Sequence, residues 1–420
     1  MTRARILQEV RQMRFEARYE RRQRRDVTRA EAGEMRGVTE RTFRRWSGRY
    51  DAEGPEGLQD RRIGRLSARA VPVDAARRMM TLYETRYTGW TVKHFHERWH
   101  TEHGGTRSYR WTKKTLQAAG HVTRATRRGA PRKKRPRTPL PGMMLHQDGS
   151  THEWVPGCQW DVIVTLDDAT TEIYSAFFVE EEGTLSSLRG LQEVMETTGL
   201  FSSLYTDRGS HYWHTDEAGG HVDKSRPTQV HRALQQWGVT RIPAYSPEAR
   251  GRSERAFRTL QDRLPNELAL AGSTERAAAN RYLTEQFLPQ YNDRFMVRAT
   301  EPGTAFIPWV GTHLAEILCV QEERVVAKDN TVHDHRQRLQ IPQDPHRFHD
   351  VKVTVRVHAY PDGTLAVFHG PRCLARYHAD GRLIETEAES RRRKDPIPRS
   401  SARPIVDPRA TVGETISARG

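Results

Sequence analysis

Cysteine is scarce in this 420-residue sequence: Cys158, Cys319 and Cys373 stand far apart, with no Cys-x-x-Cys pair. That argues against a disulfide framework and against a cysteine-based zinc site. No apolar run approaches the ~20 residues of a membrane span. The N-terminus has no apolar stretch of the secretory type. The expectation is a chain without membrane contact in a reducing compartment, the cytoplasm with its nucleoid. Hydrophobic residues amount to 35%, and the length suits two to four domains rather than one large core.

Acidic residues are scarce in one region only. Residues 1–138 hold 36 Lys and Arg against 15 Asp and Glu, a local charge of +21; the remainder holds 33 against 38, or −5. A generally basic, solvated surface does not produce that asymmetry. A basic front module followed by an acid-rich body points to a polyanionic partner, of which nucleic acid is the commonest.

The front module reads as helical. Ile6, Leu7, Val10 and Met13 recur near helical spacing within residues 1–25. Thr28 followed by Glu31 is a capping-box pattern that starts a second helix, which Gly37 stops. A third helix, Thr39 to Tyr50, carries Arg41, Arg44, Arg45 and Arg49 around Phe43 and Trp46. Two short helices joined at a glycine, the second basic, predict a helix-turn-helix over 1–70, with Arg41, Arg44 and Arg45 as DNA contacts. Residues 74–88, 91–103 and 110–119 have helical spacing too, with Gly120 closing the last. They predict a second helical DNA-binding unit over 71–123, presenting Lys113 and Lys114. His94, His96, His100 and His103 have no cysteine or carboxylate at ligand spacing, so a solvated helix face is expected of them. Residues 124–138, RATRRGAPRKKRPRT, form a basic linker in which Arg132, Lys133 and Lys134 can follow a phosphate backbone.

Beyond the linker the texture changes. DVIVTLDD at 161–168 and IYSAFFV at 173–179 are β-rich runs split by a short turn, which predicts a hairpin. A helix over 184–198, a strand at 203–206 ending on Asp207, a helix near 229–237, a strand near 239–242 and a long helix after Gly251 follow. This is an α/β sheet domain, placed at 139–300. From 320 to 385 the pattern is all-β. Val351, Val353, Val355 and Val357 alternate, and turn residues at 361–363 and 380–381 predict hairpins of a small β-barrel. Residues 386–420 are charged and Pro-containing, as in a disordered tail.

Three acids stand in distinctive settings: Asp148 in LHQDGS at 145–150, Asp207 in YTDRGSH at 205–211, and Glu254 in YSPEARGRSE at 245–254. Acids on adjacent strand ends plus one from a facing helix can hold two divalent ions, which neutralise charge at both oxygens of a phosphodiester displacement. Asp167 and Asp168 are expected to cap the turn after their strand, and Glu180–Glu182 to form a solvated strand end. Glu248 lies on the loop, six residues ahead of Glu254.

The local sequences resemble the catalytic core of DDE transposases and retroviral integrases, an RNase H-like fold. YTDRGSH matches the family's second-acid motif, an aromatic or His before T-D-x-G-S. Tyr245, Pro247, Gly251 and Glu254 match its third-acid motif, Y-x-P-x-x-x-G-x-x-E. The wording of these stretches, the helix-turn-helix front and the β-rich tail are together similar to bacterial insertion-sequence transposases of the ISNCY group.

The resemblance implies that Asp148, Asp207 and Glu254 hold two Mg²⁺ ions, with Mn²⁺ as an alternative. It implies end cleavage by water, then attack of the freed 3′-OH on target DNA, by a homo-oligomer assembled on terminal inverted repeats. Arg258 matches a basic DNA contact four residues after the glutamate, whereas Gln261 stands where a second basic residue is usual. The 46 residues between Asp207 and Glu254 exceed the retroviral interval, the excess falling near 211–226, so a longer loop is expected beside the site. Two rivals remain, an RNase H-fold DNA nuclease and an inactive helix-turn-helix regulator.

Overall fold

Three aromatic rings organise the front of the molecule. In the computed structural model, which describes residues 3–59, 71–124, 135–215, 221–223, 225–245, 251–311, 313–343 and 349–385, helix α1 spans Arg3–Gln23, α2 Arg29–Glu34 and α3 Glu40–Glu53. The capping box of Thr28 and Glu31 is formed, and Thr39 caps α3. Gly37, between the two helices, has φ +75°, a left-handed turn that a side chain would strain. Phe15 and Phe43 are buried with ring centroids 5.2 Å apart, and Trp46 meets Phe15 edge-on at 6.2 Å. The aromatics of α3 therefore point inward and its arginines outward. Arg132, Lys133 and Lys134 lie outside the described residues, as do Glu248 and the tail 386–420.

The chain forms two compact units: residues 1–88 with 107–123, and residues 89–106 with 124–420. The first adds α4 (Val73–Arg86) and α6 (Tyr109–Ala118), which carries Lys113 and Lys114. The second contains α5 (Val92–Glu102) and everything after the linker.

The expectation for the histidines of α5 is corrected at His94. It is 2% exposed, stacks on Trp90 at 4.1 Å and meets Glu267 at 2.5 Å. Glu267 also binds Arg98 and accepts from the Tyr282 hydroxyl at 3.1 Å. Its partners lie 15 to 173 residues away, so local spacing held no sign of them.

The central sheet is ordered β3-β2-β1-β4-β7, from β1 (Leu145–Val155), β2 (Cys158–Asp167), β3 (Ile173–Val179), β4 (Ser203–Thr206) and β7 (Thr240–Pro243). The first three run antiparallel; β4 and β7 join β1 in parallel. This is the arrangement of an RNase H-like core. The expected hairpin of β2 and β3 is present, and β1 is a further long strand before it, closed by Gly157 at φ +79°.

One sheet face packs α9 (Gly251–Leu270), α10 (Arg276–Tyr282) and α11 (Leu288–Phe295) against Trp154, Val162, Val164 and Phe178. The other packs α7 (Thr184–Thr197) and α8 (Gln229–Gln235) against Leu145 and Leu204. Asn280 and Asn292 hydrogen-bond the backbone of Phe178 and Ile173, covering the open edge of β3. Among the described residues of the extra stretch after Asp207, β5 (His214–Thr215) pairs antiparallel with β6 (Val222–Asp223).

After α12 (Leu314–Ile317), strands β8 (Val320–Val325), β11 (Thr354–Ala359), β12 (Leu365–His369) and β13 (Arg372–Tyr377) form a four-stranded sheet, and β9 (Thr331–Asp334) with β10 (Gln337–Gln340) a hairpin. The barrel expected from the alternating valines is not closed: among the described residues β8 and β13 are the free ends of the sheet. Val332 and Leu339 of the hairpin share its apolar core instead. Alternation reports that a strand has one buried face; it does not report whether the sheet closes. Among the described residues no helix is long and apolar enough to cross a membrane.

Candidate active site

Asp148 and Asp207 are related by strand register. β1 and β4 pair in parallel with Leu145 opposite Leu204 and His146 opposite Tyr205. Carried three residues on, the same register sets Asp148 opposite Asp207, on neighbouring strands about 4.8 Å apart. Both acids face the α9 side of the sheet, since Leu145 and Leu204 pack on the opposite side. Asp148 is inside β1 rather than at a strand end, and only 5% exposed. Asp207 follows the last residue of β4, and its Oδ1 accepts the Gly209 amide at 2.9 Å. A Cβ on Gly209 would stand 3.0 Å from Asp207 Oδ1 and 2.9 Å from His211 Cε1, a physical reason for glycine in that motif.

Glu254 comes from α9, in its first turn, and is exposed. Two tethers hold this helix along β1. Arg252 pairs with Asp168, which also holds His146 at 2.7 Å, and Gln261 Nε2 donates to Ser150 Oγ at 3.0 Å. Asp148 lies between His146 and Ser150 on the strand, and Glu254 between Arg252 and Gln261 on the helix. Seven residues before Gln261, Glu254 falls on the same helical stripe, about 10 Å back along the axis. Asp148 is about 7 Å back from Ser150 along the strand. The difference is within the reach of a glutamate side chain. Gln261, at the position where a basic residue is usual, is turned to β1, while Arg258 is exposed on the same stripe as Glu254.

The three carboxylates are not gathered with every ligating oxygen within 4.8 Å; among the described residues the trio that meets this is Glu322, Asp334 and His335, where Arg324 donates to both acids. A pair of ions about 3.5–4 Å apart asks less, since each outer carboxylate needs to reach one ion only.

Two neighbours of the site were not legible locally. Glu182, expected at a solvated strand end, has a side chain 24% exposed and 3.3 Å from His211 Nε2. A Cβ on Gly149 would come within 2.2 Å of its Oε2, so the glycine after Asp148 makes room for that carboxylate. Tyr212 is fully buried, donates to Gln147 Oε1 at 2.9 Å and accepts from Ser187 at 3.1 Å. Burial above all, then the charges of Glu182, Asp148 and Asp207, hold its hydroxyl well above the usual tyrosine range.

Asp167 caps the turn as expected, accepting from the Thr170 amide and hydroxyl, and from the Gly142 amide. Asp168 departs from the expectation. It is fully buried and accepts from His146, Arg135, Arg252 and the Thr138 amide. Burial would raise its carboxyl, but the hydrogen bonds from His146 and Thr138 and the charge of Arg252 bring it down to about 2.

Residues 20–66 match the model of a helix-turn-helix domain family. A Sinorhizobium fredii protein named as a transposase, y4bF, is 28% identical over 347 residues, 81% of this chain and 75% of its own length. The chain is thus similar to a bacterial transposase over most of its length. The transposase for insertion sequence IS1202 of Streptococcus pneumoniae is 27% identical to it over 161 residues, 38% of this chain and 34% of the relative. A chain of the simian T-cell lymphotropic virus intasome, solved with PP2A regulatory subunit B56 gamma, overlays 69% of this chain and 91% of itself, at 14% identity and a TM-score of 0.32. That overlay is too loose to bear on function. The chain thus joins a region matching a helix-turn-helix family to a domain built on the sheet β3-β2-β1-β4-β7.

Proposed function

We propose that the chain is a DNA transposase that grips the ends of its element through α3 and cuts and joins DNA at Asp148, Asp207 and Glu254. The register of β1 and β4 carries this reading, because it sets two aspartates side by side on the face that α9 crosses. The three proposed ligands are all hard oxygen donors, a set that suits Mg²⁺, or Mn²⁺ in its place, rather than zinc. Two such ions would neutralise the charge that builds on the attacking and leaving oxygens. Asp148, central between the other two, would be shared; Asp207 and Glu254 would each complete one side.

The remaining roles belong to the basic residues. Exposed Arg41, Arg44 and Arg45 face a major groove, and Lys113, Lys114, Arg132, Lys133 and Lys134 meet phosphates. Arg258, one turn after Glu254, holds the strand being cut against the carboxylates. The open sheet and hairpin between 320 and 377 act as a further module, and copies of the chain join on DNA to bring two ends together.

The test is Mg²⁺-dependent cleavage and joining of a terminal-repeat duplex, beside a gel shift. Asp148→Asn, Asp207→Asn and Glu254→Gln should bind and not cut. Cutting by these variants overturns the site; cutting without joining by the wild type makes the protein a nuclease, and binding without cutting a regulator.

A further inference from the structure

The cluster around Asp168 does more than close a turn. We propose that Asp168 and Arg252 are positioning residues, which set where Glu254 stands beside Asp148; this rests on the reading of those acids as metal-holding.

Asp168 ties three separate pieces of chain together. His146, which donates to it at 2.7 Å, is two residues before Asp148 on β1. Arg252, which pairs with it, is two residues before Glu254 in the first turn of α9. Arg135 and the Thr138 amide bring in the end of the basic linker. Besides Asp168, Arg252 donates to the carbonyls of Arg135 at 3.0 Å and Pro136 at 2.9 Å, and its side chain is 14% exposed. A guanidinium whose two terminal nitrogens are both committed, and which is largely buried, is a strut rather than a free phosphate contact. Glu254 itself is exposed, two residues beyond this anchor. Buried and multiply donated to, the Asp168 carboxylate cannot shift without stranding a charge.

Mg²⁺ demands near-ideal geometry, so a loosened Glu254 should show first in the metal requirement. In the full chain, Arg252→Gln should lower single-turnover cleavage of an end duplex by about 10- to 100-fold, the scale of a misplacement near 1 Å. It should also raise the Mg²⁺ concentration for half-maximal rate. Arg252→Lys, which keeps one ion pair, should fall between, and serves if the glutamine variant melts without a cooperative transition. End affinity and its salt dependence should not move. An unchanged rate and Mg²⁺ requirement overturns the proposal. So does a salt slope reduced by about one, the sign of a direct phosphate contact. Asp148→Asn and Glu254→Gln run in parallel: if they are inactive and Arg252→Gln is normal, the positioning role alone falls. If they cut normally, the metal reading falls and takes this proposal with it.

Discussion

Helices α3 and α9 are both rich in arginine, and their arginines are placed in opposite ways. On α3, Arg41, Arg44, Arg45 and Arg49 are exposed, with Phe43 and Ser47 turned inward. They carry no ion pair among the described residues and stay available to a polyanion. On α9, Arg252 is spent on Asp168 and Arg263 on Glu97 at 2.8 Å, and Glu267 is committed to His94 and Arg98. Of the arginines of that helix, Arg255 and Arg258 are the ones left exposed. The lesson is that a basic helix gains affinity for DNA from cations left to solvent, and gains position from cations given to acids. Composition does not distinguish the two.

The sharpest way to test that division is to remove the chemistry and keep the binding. Asp207→Asn should abolish cleavage and joining by more than ~100-fold, since even outer partners of metal ligands are worth about 10- to 100-fold. The gel shift should be unaffected; lost binding would mean a folding defect. The next effect should be on stability. Glu267→Ala leaves Arg98 and His94 without their buried partner, which should cost on the order of 3 kcal/mol in chemical denaturation. No change in the midpoint would mean that α5 is not anchored through α9.

Exchanging Arg44 and Arg45 together for Ala probes the other helix. End binding should weaken and its salt dependence flatten by up to about two units of slope, one per phosphate contact. Metal-dependent nicking of non-specific DNA at high protein concentration should persist. An unchanged slope would move end recognition to α6 or the linker.

The smallest effect should appear with pH. His358 is 6% exposed, with no hydrogen-bond partner at either nitrogen, and stacks on Phe368 at 4.3 Å. Burial, with Arg356, Arg232 and Arg376 nearby, lowers its pKa to about 4. The unfolded chain binds that proton near pH 6.5, so its stability contribution is full above that pH and declines as pH falls toward 4. His358→Phe should flatten the stability–pH slope in this window by about one proton. Parallel slopes for the two proteins would contradict the assignment.

Much of the fold was legible because local rules govern it. The capping box at Thr28, the glycine stops at Gly37 and Gly120, and the strand Ile173–Val179 were all set by neighbours within a few residues. The three acids were legible through the stretches around them, and their glycines have local physical causes. Gly149 leaves room for Glu182, and Gly209 for the approach of Asp207 and His211. Other features were not legible. The open C-terminal sheet, the burial of His94 and the use of Asp168 as an anchor each depend on a partner far along the chain.

By itself, then, the sequence determined the helices and strands and the basic front, and it singled out three candidate acids, since propensity, capping and charge act over a turn or a hairpin. Tertiary structure alone decided which face Asp148 and Asp207 share and where α9 lies along β1. It also decided which arginines are left to solvent. Register and ion pairing join residues that only the folded chain brings together, and burial then makes each pairing costly to exchange.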